Sequence, residues 1–129
     1  MILALRTDTG RAEIYLHDGR SVVGEFCWQA DRTLARDLLG QCQALLDRNN
    51  TDWSDLSGLV VFKGPGSFTG LRIGITTANT IAYSENIPIV GTAGDDWLGA
   101  GVKLTSSGSN DKIVLPDYGA EPRITVSRE

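Results

Sequence analysis

The chain has 129 residues, a formal net charge of -4 at pH 7 and 41% hydrophobic residues, which suits one compact domain and excludes an intrinsically disordered protein. The acidic balance also argues against an autonomous nucleic-acid-binding protein, because contacts with phosphate need a basic face. Two cysteines and one histidine are too few for a zinc site or a disulfide framework. No apolar run reaches the roughly 18 residues of a membrane helix, so we expect a cytoplasmic protein with no membrane partner.

The first thirty residues have the pattern of three antiparallel strands. A short apolar run at 2–5 is closed by turn-forming residues, and alternating apolar residues return at 12–16. The pair Asp18-Gly19 is a strong hairpin signal and predicts a third strand that ends near Trp28.

From Asp31 onward the apolar residues recur every three or four positions, which predicts an amphipathic helix from Thr33 to Arg48. The residues with this spacing are Leu34, Leu38, Leu39, Cys42, Leu45 and Leu46. Asp31 is the expected N-cap of the helix. Gly40 lies in its middle, where glycine costs about 1 kcal/mol relative to alanine and often marks close packing.

The next segment has the pattern of a strand, a helix and a second strand parallel to the first. The run GLVVF at 58–62 predicts a strand buried on both faces. Helical spacing resumes at Phe68, and the apolar run at 87–91 predicts the second strand. One more helical turn is expected within 95–101. The chain is therefore predicted to be an α/β protein with a mixed five-stranded sheet and helices packed on it.

The composition changes after Lys103, and this change sets the predicted domain boundaries. Residues 1–103 are expected to form one lobe, 104–112 a flexible polar linker, and 113–129 an extended tail whose strand-like part is 124–126. We expect the tail to be ordered only where it docks on the sheet edge or on a partner.

The glycine-rich stretch KGPGSFTGLRIG at 63–74 joins the buried strand to the second helix. It is not a P-loop, because no lysine follows Gly70. The spacing of Gly64, Gly66 and Gly70 is one residue too long for a dinucleotide fingerprint. Ser67 lacks the flanking glycines of a nucleophile elbow. We therefore predict no catalytic residue, no cofactor and no metal site.

The same stretch has a structural interpretation. Gly64, Pro65 and Gly66 are expected to form a tight exit from the strand, and Ser67 or Thr69 is expected to cap the helix. Capping explains these hydroxyl residues more simply than an anion-binding site does.

Small residues recur at every fourth position of the second helix, at Gly70, Gly74, Ala78 and Ala82. Each internal glycine costs about 1 kcal/mol relative to alanine, so something must pack closely against this stripe. The candidates are the protein's own sheet or first helix, and a helix of another chain. The spacing is compatible with both.

The motif GPGSFTGLRIG at 64–74, with LVVFK at 59–63 and the start MILALRTDT at 1–9, resembles the TsaB family, formerly YeaZ. The resemblance implies a single lobe of the actin-like and Hsp70-like fold, which is ribonuclease H-like. It also implies a non-catalytic dimerisation subunit that supports the enzyme TsaD in making N6-threonylcarbamoyladenosine in tRNA. The ATPase TsaE would join this complex, TsaC would supply the threonylcarbamoyl-adenylate, and tRNA would be contacted only indirectly.

Two features differ from the family pattern. Arg6 stands where actin-like ATPases have an acidic residue near the metal-bound phosphate, and Asp8 is two positions too late to replace it. The second lobe of the family has no counterpart in these residues. Nucleotide hydrolysis is therefore not expected, because one lobe cannot close a cleft around ATP, but the lobe can still present its helices to a partner.

The resemblance places the contact with TsaD on the two helices. The residues expected to form it are Gly70, Leu71, Ile73, Gly74, Thr77, Ala78 and Ile81 of the second helix and Leu34, Asp37, Leu38 and Gln41 of the first. A Gly74→Leu substitution is accordingly expected to abolish binding and leave the lone chain folded. Two alternatives stay open: a homodimer through the same helices, and an enzyme with weak nucleotide-binding, hydrolase or glycoprotease-type activity.

Overall fold

The computed structural model describes residues 1–119. In chain order its elements are β1 (Ile2–Arg6), β2 (Arg11–His17), β3 (Val22–Gln29), α1 (Leu34–Arg48), β4 (Gly58–Phe62), α2 (Phe68–Glu85), β5 (Ile89–Thr92) and α3 (Trp97–Ser106). Short 3-10 turns at Asp31–Thr33 and Trp53–Asp55 lead into α1 and β4. None of the helices in this part of the chain has the length and apolarity to cross a membrane.

The five strands form one mixed sheet in the order β3-β2-β1-β4-β5. β1 pairs antiparallel with β2, and β2 pairs antiparallel with β3, because tight turns connect them. β4 lies parallel to β1, and β5 lies parallel to β4, because helices provide the crossovers. The predicted α/β fold with a mixed five-stranded sheet is confirmed.

Helices cover both faces of the sheet. α1 and α2 pack on one face, and Leu38, Leu45 and Leu71 of these helices are fully buried there. α3 packs on the other face, against β4 and β5. This contact is close, because a Cβ at Gly101 would clash with the side chain of Val60. β4 is therefore apolar at every position, since successive side chains of a strand point to opposite faces and both faces are covered.

The starts of α1 and α2 differ from the predicted caps. Asp31 has a positive φ of 45°, and its carboxylate accepts a hydrogen bond from Gln29 Nε2 at 3.0 Å. Leu34 begins α1 without a side-chain capping bond. Ser67 precedes α2, but its hydroxyl makes no capping bond, and Thr69 already lies in the first turn. The capping predictions are wrong, because backbone hydrogen bonds from neighbouring loops hold both helix entries instead.

The segment after β5 is more ordered than the sequence predicts. α3 has 10 residues rather than one turn and ends at Ser106, inside the segment assigned to a linker. Residues 110–119, here called the C-terminal strap, lie beside β5. The N–H groups of Ile89 and Gly91 donate to the side chains of Asn110 and Asp111, at 3.1 and 2.8 Å.

The start of the strap thus docks on the edge strand β5. Its backbone also takes part, because the N–H of Asp111 donates to the Ile89 carbonyl oxygen at 2.7 Å. The strand-like part at 124–126 lies outside the described residues, and the domain boundaries at 103 and 112 stay predictions.

Candidate functional site

The turn between β4 and α2 is closed by the chain's own loops. Gly64 has a φ of 123°, and a Cβ there would clash with the carbonyl oxygen of Asp117. A Cβ at Gly66 would clash with Asp8, whose carbonyl oxygen accepts a hydrogen bond from the N–H of Ser67 at 2.8 Å. The glycines therefore permit close approach of protein backbone at this turn.

The stripe of small residues on α2 faces the sheet, and its two glycines face Thr7, directly after β1. Thr7 is fully buried, and its Oγ1 donates a hydrogen bond to the carbonyl oxygen of Gly70 at 2.7 Å. A Cβ at Gly70 would clash with the Thr7 carbonyl oxygen, and a Cβ at Gly74 would clash with Thr7 Oγ1. Of the two candidates that the sequence leaves open, the protein's own sheet is the one that packs on this stripe.

This packing corrects part of the predicted contact surface. Besides Gly70 and Gly74, five predicted contact residues belong to the core, with at most 6% of their surface exposed: Leu34, Leu38, Leu71, Ala78 and Ile81. Of these five, Ile81 also lines a groove between the two helices. Apolar periodicity identifies the covered face of a helix but not what covers it. The Gly74→Leu substitution is therefore expected to disturb the folded monomer itself.

Four predicted contact residues stay partly exposed: Asp37, Gln41, Ile73 and Thr77. Ile73 and Thr77 line the space between the two helices, whereas Asp37 and Gln41 lie on the flank of α1 that points away from α2. Asp37 is instead paired with Arg36, whose Nε donates to its Oδ1 at 2.8 Å and lowers the pKa of this carboxyl.

Two grooves lie between α1 and α2 on the accessible side of these helices. One is lined by Ala35, Phe68, Thr69, Arg72, Ile73, Thr76 and Thr77, and the other by Leu39, Gly40, Gln43, Trp53, Thr80, Ile81, Ser84 and Glu85. We call these residues the helix face. Leu39 and Phe68 are 54% and 55% exposed, and a Cβ at Gly40 would meet no atom within 4 Å. The helix face is thus a shallow, partly apolar surface of the kind that binds another protein.

Sequence reasoning missed most of the helix face. Leu39 and Phe68 fit the helical spacing that predicts burial, yet both side chains reach solvent. Gly40 does not mark close packing within the chain, because the space around it is open. The sequence does contain a signal for these grooves. Ala35, Gly40 and Thr76 are small residues at exposed helix positions, where a fully solvated helix usually has long polar side chains.

The carboxyl ends of β1 and β4 hold a fixed cation. Arg6 Nε and Nη2 donate to the two carboxylate oxygens of Asp8, at 2.8 and 3.1 Å, and the guanidinium lies 3.9 Å from the centre of the Phe62 ring. The hydrogen bonds to Asp8 raise the pKa of Arg6. A permanent cation cannot coordinate a metal ion. Within residues 1–119, no group of three or more His, Cys, Asp or Glu side chains is placed to hold one.

The side chains of Cys42 and His17 have structural roles. Cys42 is buried in α1, and burial raises the pKa of its thiol to about 12, so the thiol is protonated and unreactive near neutral pH. His17 Nδ1 accepts a hydrogen bond from the N–H of Gly19 at 2.9 Å, which supports the hairpin between β2 and β3. These groups do not form a nucleophile and base pair.

The sequence is similar to proteins of tRNA modification. The family model described as "TsaD: tRNA N6-adenosine threonylcarbamoyltransferase" matches residues 27–111. The tRNA threonylcarbamoyladenosine biosynthesis protein TsaB of Bacillus subtilis (strain 168) is 35% identical over 99 residues, which are 77% of this chain and 43% of that protein. The protein of the same name from Escherichia coli (strain K12) is 33% identical over 92 residues, which are 71% and 39% of the two chains.

The fold is also similar to a solved structure. YeaZ from Pseudomonas aeruginosa superposes with a TM-score of 0.65 at 30% identity, over 71% of this chain and 43% of that one. The chain therefore spans less than half the length of each of these three relatives.

Proposed function

Because the chain belongs to the TsaB (YeaZ) family, we propose that it is a non-catalytic subunit of the machinery that makes N6-threonylcarbamoyladenosine in tRNA. Its role is to bind the enzyme TsaD through the helix face and to support that enzyme during transfer to the tRNA adenosine. The observation that carries this proposal is the helix face itself, which exposes Leu39 and Phe68 on two helices supported by the sheet. A role with tRNA implies a cytoplasmic location.

The choice of TsaD as the partner is supported by the family model of that enzyme, which matches a range that includes both α1 and α2. A protein with counterparts of both helices can pair with them about an approximate two-fold axis, as isologous contacts do. The same geometry permits a homodimer, which is the second candidate and would compete for the helix face. We expect TsaE to join the assembled pair, and tRNA to be contacted by the partner because this chain has a net charge of -4.

The proposal assigns no catalytic residue to this chain. Arg6 is committed to Asp8 and Phe62, and the Cys42 thiol is protonated. An enzymatic alternative needs a bound nucleotide or an activated nucleophile. Magnesium-dependent binding of ATP by the isolated chain, measured by calorimetry, would therefore contradict the proposal.

The helix face is tested with Thr76→Arg, which places a long cation in one of its grooves. We expect the unmodified chain to elute with TsaD as a one-to-one heterodimer in size-exclusion chromatography with light scattering. The substitution should weaken this association by about 10-fold or more, since a buried and unpaired charge costs more than 1.4 kcal/mol. Its melting temperature should not change, because Thr76 is exposed.

The matched control is Ser106→Arg, an exposed position on α3 at the opposite face of the sheet. It adds the same charge and should leave the affinity for TsaD unchanged. Equal effects of the two substitutions, or full affinity of Thr76→Arg, would exclude the helix face as the binding site.

A further inference from the structure

The C-terminal strap is held against α2 and β4 by specific contacts. Asn79 of α2 forms two hydrogen bonds with the backbone of Val114: its Nδ2 donates to the carbonyl oxygen at 3.0 Å, and its Oδ1 accepts from the N–H at 2.9 Å. The N–H of Asp117 donates to the Lys63 carbonyl oxygen at 2.7 Å. Val114 is buried and fills the space beside Gly91, where a Cβ would clash with it. The strap therefore has a defined inner side.

The outer side of the strap exposes large apolar side chains. Ile113 and Leu115, the two neighbours of Val114, are 66% and 74% exposed, and Tyr83 on the adjacent surface of α2 is 89% exposed. These side chains contribute little to folding, because hydrophobic stabilisation requires burial. A group of large exposed apolar residues marks a surface that binds another protein.

This outer side is continuous with the helix face. Thr80 lines a groove of the helix face and also the groove that contains Tyr83 and Ile113. At the start of α2, the ring of Tyr118 stacks on Phe68 with centres 4.6 Å apart, and Phe68 lines the helix face. α2 is thus a ridge with α1 on one side and the strap on the other.

We propose that the C-terminal strap is a second wall of the surface that binds TsaD, so that α1, α2 and the strap contact the enzyme together. This inference rests on the proposed function. A helix with its side chains is about 10–12 Å wide, so a helix of TsaD that lies along α2, a helix of the same width, extends to both of its borders.

The chemistry of the strap fits such an apolar helical partner. Contact would bury Ile113, Leu115 and Tyr83. It would also place the stacked pair of Phe68 and Tyr118 inside the interface, where aromatic side chains contribute much of the binding energy.

The test is the double substitution Ile113→Lys with Leu115→Lys in the full chain. Both side chains are exposed, so circular dichroism should report an unchanged fold and melting temperature. We expect the Kd for TsaD, measured by biolayer interferometry, to rise by about 10-fold to 100-fold, because burial of one leucine-sized side chain accounts for a factor of this size. Leu104→Lys on α3 is the matched control, because Leu104 is also exposed, and its Kd should stay within about 2-fold of the unmodified value.

The outcomes separate this inference from the proposed function. If Thr76→Arg weakens binding but the strap substitution does not, the strap is not part of the interface, and the proposed function stands. If the unmodified chain does not bind TsaD, both fail. If the strap substitution instead abolishes a homodimer and leaves TsaD binding intact, the wall belongs to a contact between two copies and the inference is wrong.

Hydrogen exchange gives a direct readout. Addition of TsaD should slow amide exchange in the strap as well as in α2 if both are covered. Unchanged exchange at the strap, together with slower exchange in α2, would overturn the inference.

Discussion

Thr7 fills the space that Gly70 and Gly74 leave on α2, and its hydroxyl donates to the Gly70 carbonyl oxygen at 2.7 Å. Each of these glycines costs the helix about 1 kcal/mol relative to alanine, and close packing on Thr7 offsets the cost. Gly40 carries the same cost without any neighbour in the monomer. Identical residues in two helices therefore have different roles, one in the core and one on an open surface.

This difference leads to a paired prediction for stability. Gly74→Ala should lower the free energy of unfolding by about 1–3 kcal/mol, because the new Cβ overlaps Thr7 Oγ1 in a filled core. Gly40→Ala, the matched control, should raise it by up to about 1 kcal/mol through helix propensity alone. Urea denaturation measures both values. Stabilisation by both substitutions would show that Thr7 does not restrict the space at Gly74.

α2 is the element that connects the core to the candidate site. Its inner stripe packs on the sheet, its outer surface belongs to the helix face, and Asn79 on its flank binds the strap. A single helix thus has three different neighbours around its circumference. The apolar periodicity of α2 indicates only the contact with the sheet. The hydrogen bonds of Asn79 and the open grooves produce no periodic pattern in the sequence.

The Asn79 clamp is testable as a unit. Asn79→Ala removes two hydrogen bonds to Val114, and we expect a loss of about 1–3 kcal/mol of stability because the two backbone groups lose their partner. Amide exchange at residues 113–115 should become faster, while exchange in β4, which is buried at every position, should not change. The neighbouring substitution Thr80→Ala removes a hydroxyl that bonds within α2 and should leave the strap unchanged. Equal protection of the strap in both variants would show that other contacts hold it.

At the scale of the whole molecule, the chain is one lobe whose sheet positions two helices and a strap along one surface. It spans 43% of the Bacillus subtilis relative. The net charge of -4 makes long-range attraction of a polyanion unfavourable.

The charge predicts that the isolated chain does not bind tRNA. In an electrophoretic mobility assay at physiological salt, we expect no shift at micromolar chain, because no net positive charge is available to release counterions from phosphate. The mixture of the chain with TsaD should shift tRNA if the enzyme supplies the basic contacts. A salt-sensitive shift by the chain alone would mean that it carries a local basic surface of its own.

The sequence predicts the elements better than it predicts their surroundings. Turn chemistry at Asp18-Gly19 and the helical spacing from Leu34 to Leu46 are local properties, so the hairpin and the position of the first helix follow from them. The contact residues were harder to place, because Leu38 and Leu39 satisfy the same spacing although one is buried and the other is half-exposed. α1 has apolar residues on a buried side and on an exposed side, and only the packing of the folded chain shows which side is which.

By itself, the sequence determined the type and order of the elements, the mixed sheet and the family, because periodicity, turn residues and a long motif are encoded over short stretches. Tertiary structure alone decided that Thr7 covers the glycine stripe, since the bonded residues Thr7 and Gly70 are 63 positions apart. It also decided that the strap docks on α2, through a contact between Asn79 and Val114 that spans 35 positions. The physical reason is that a sequence pattern shows that one face of a helix is buried. Which residues pack on that face depends on contacts between segments that are distant in the sequence.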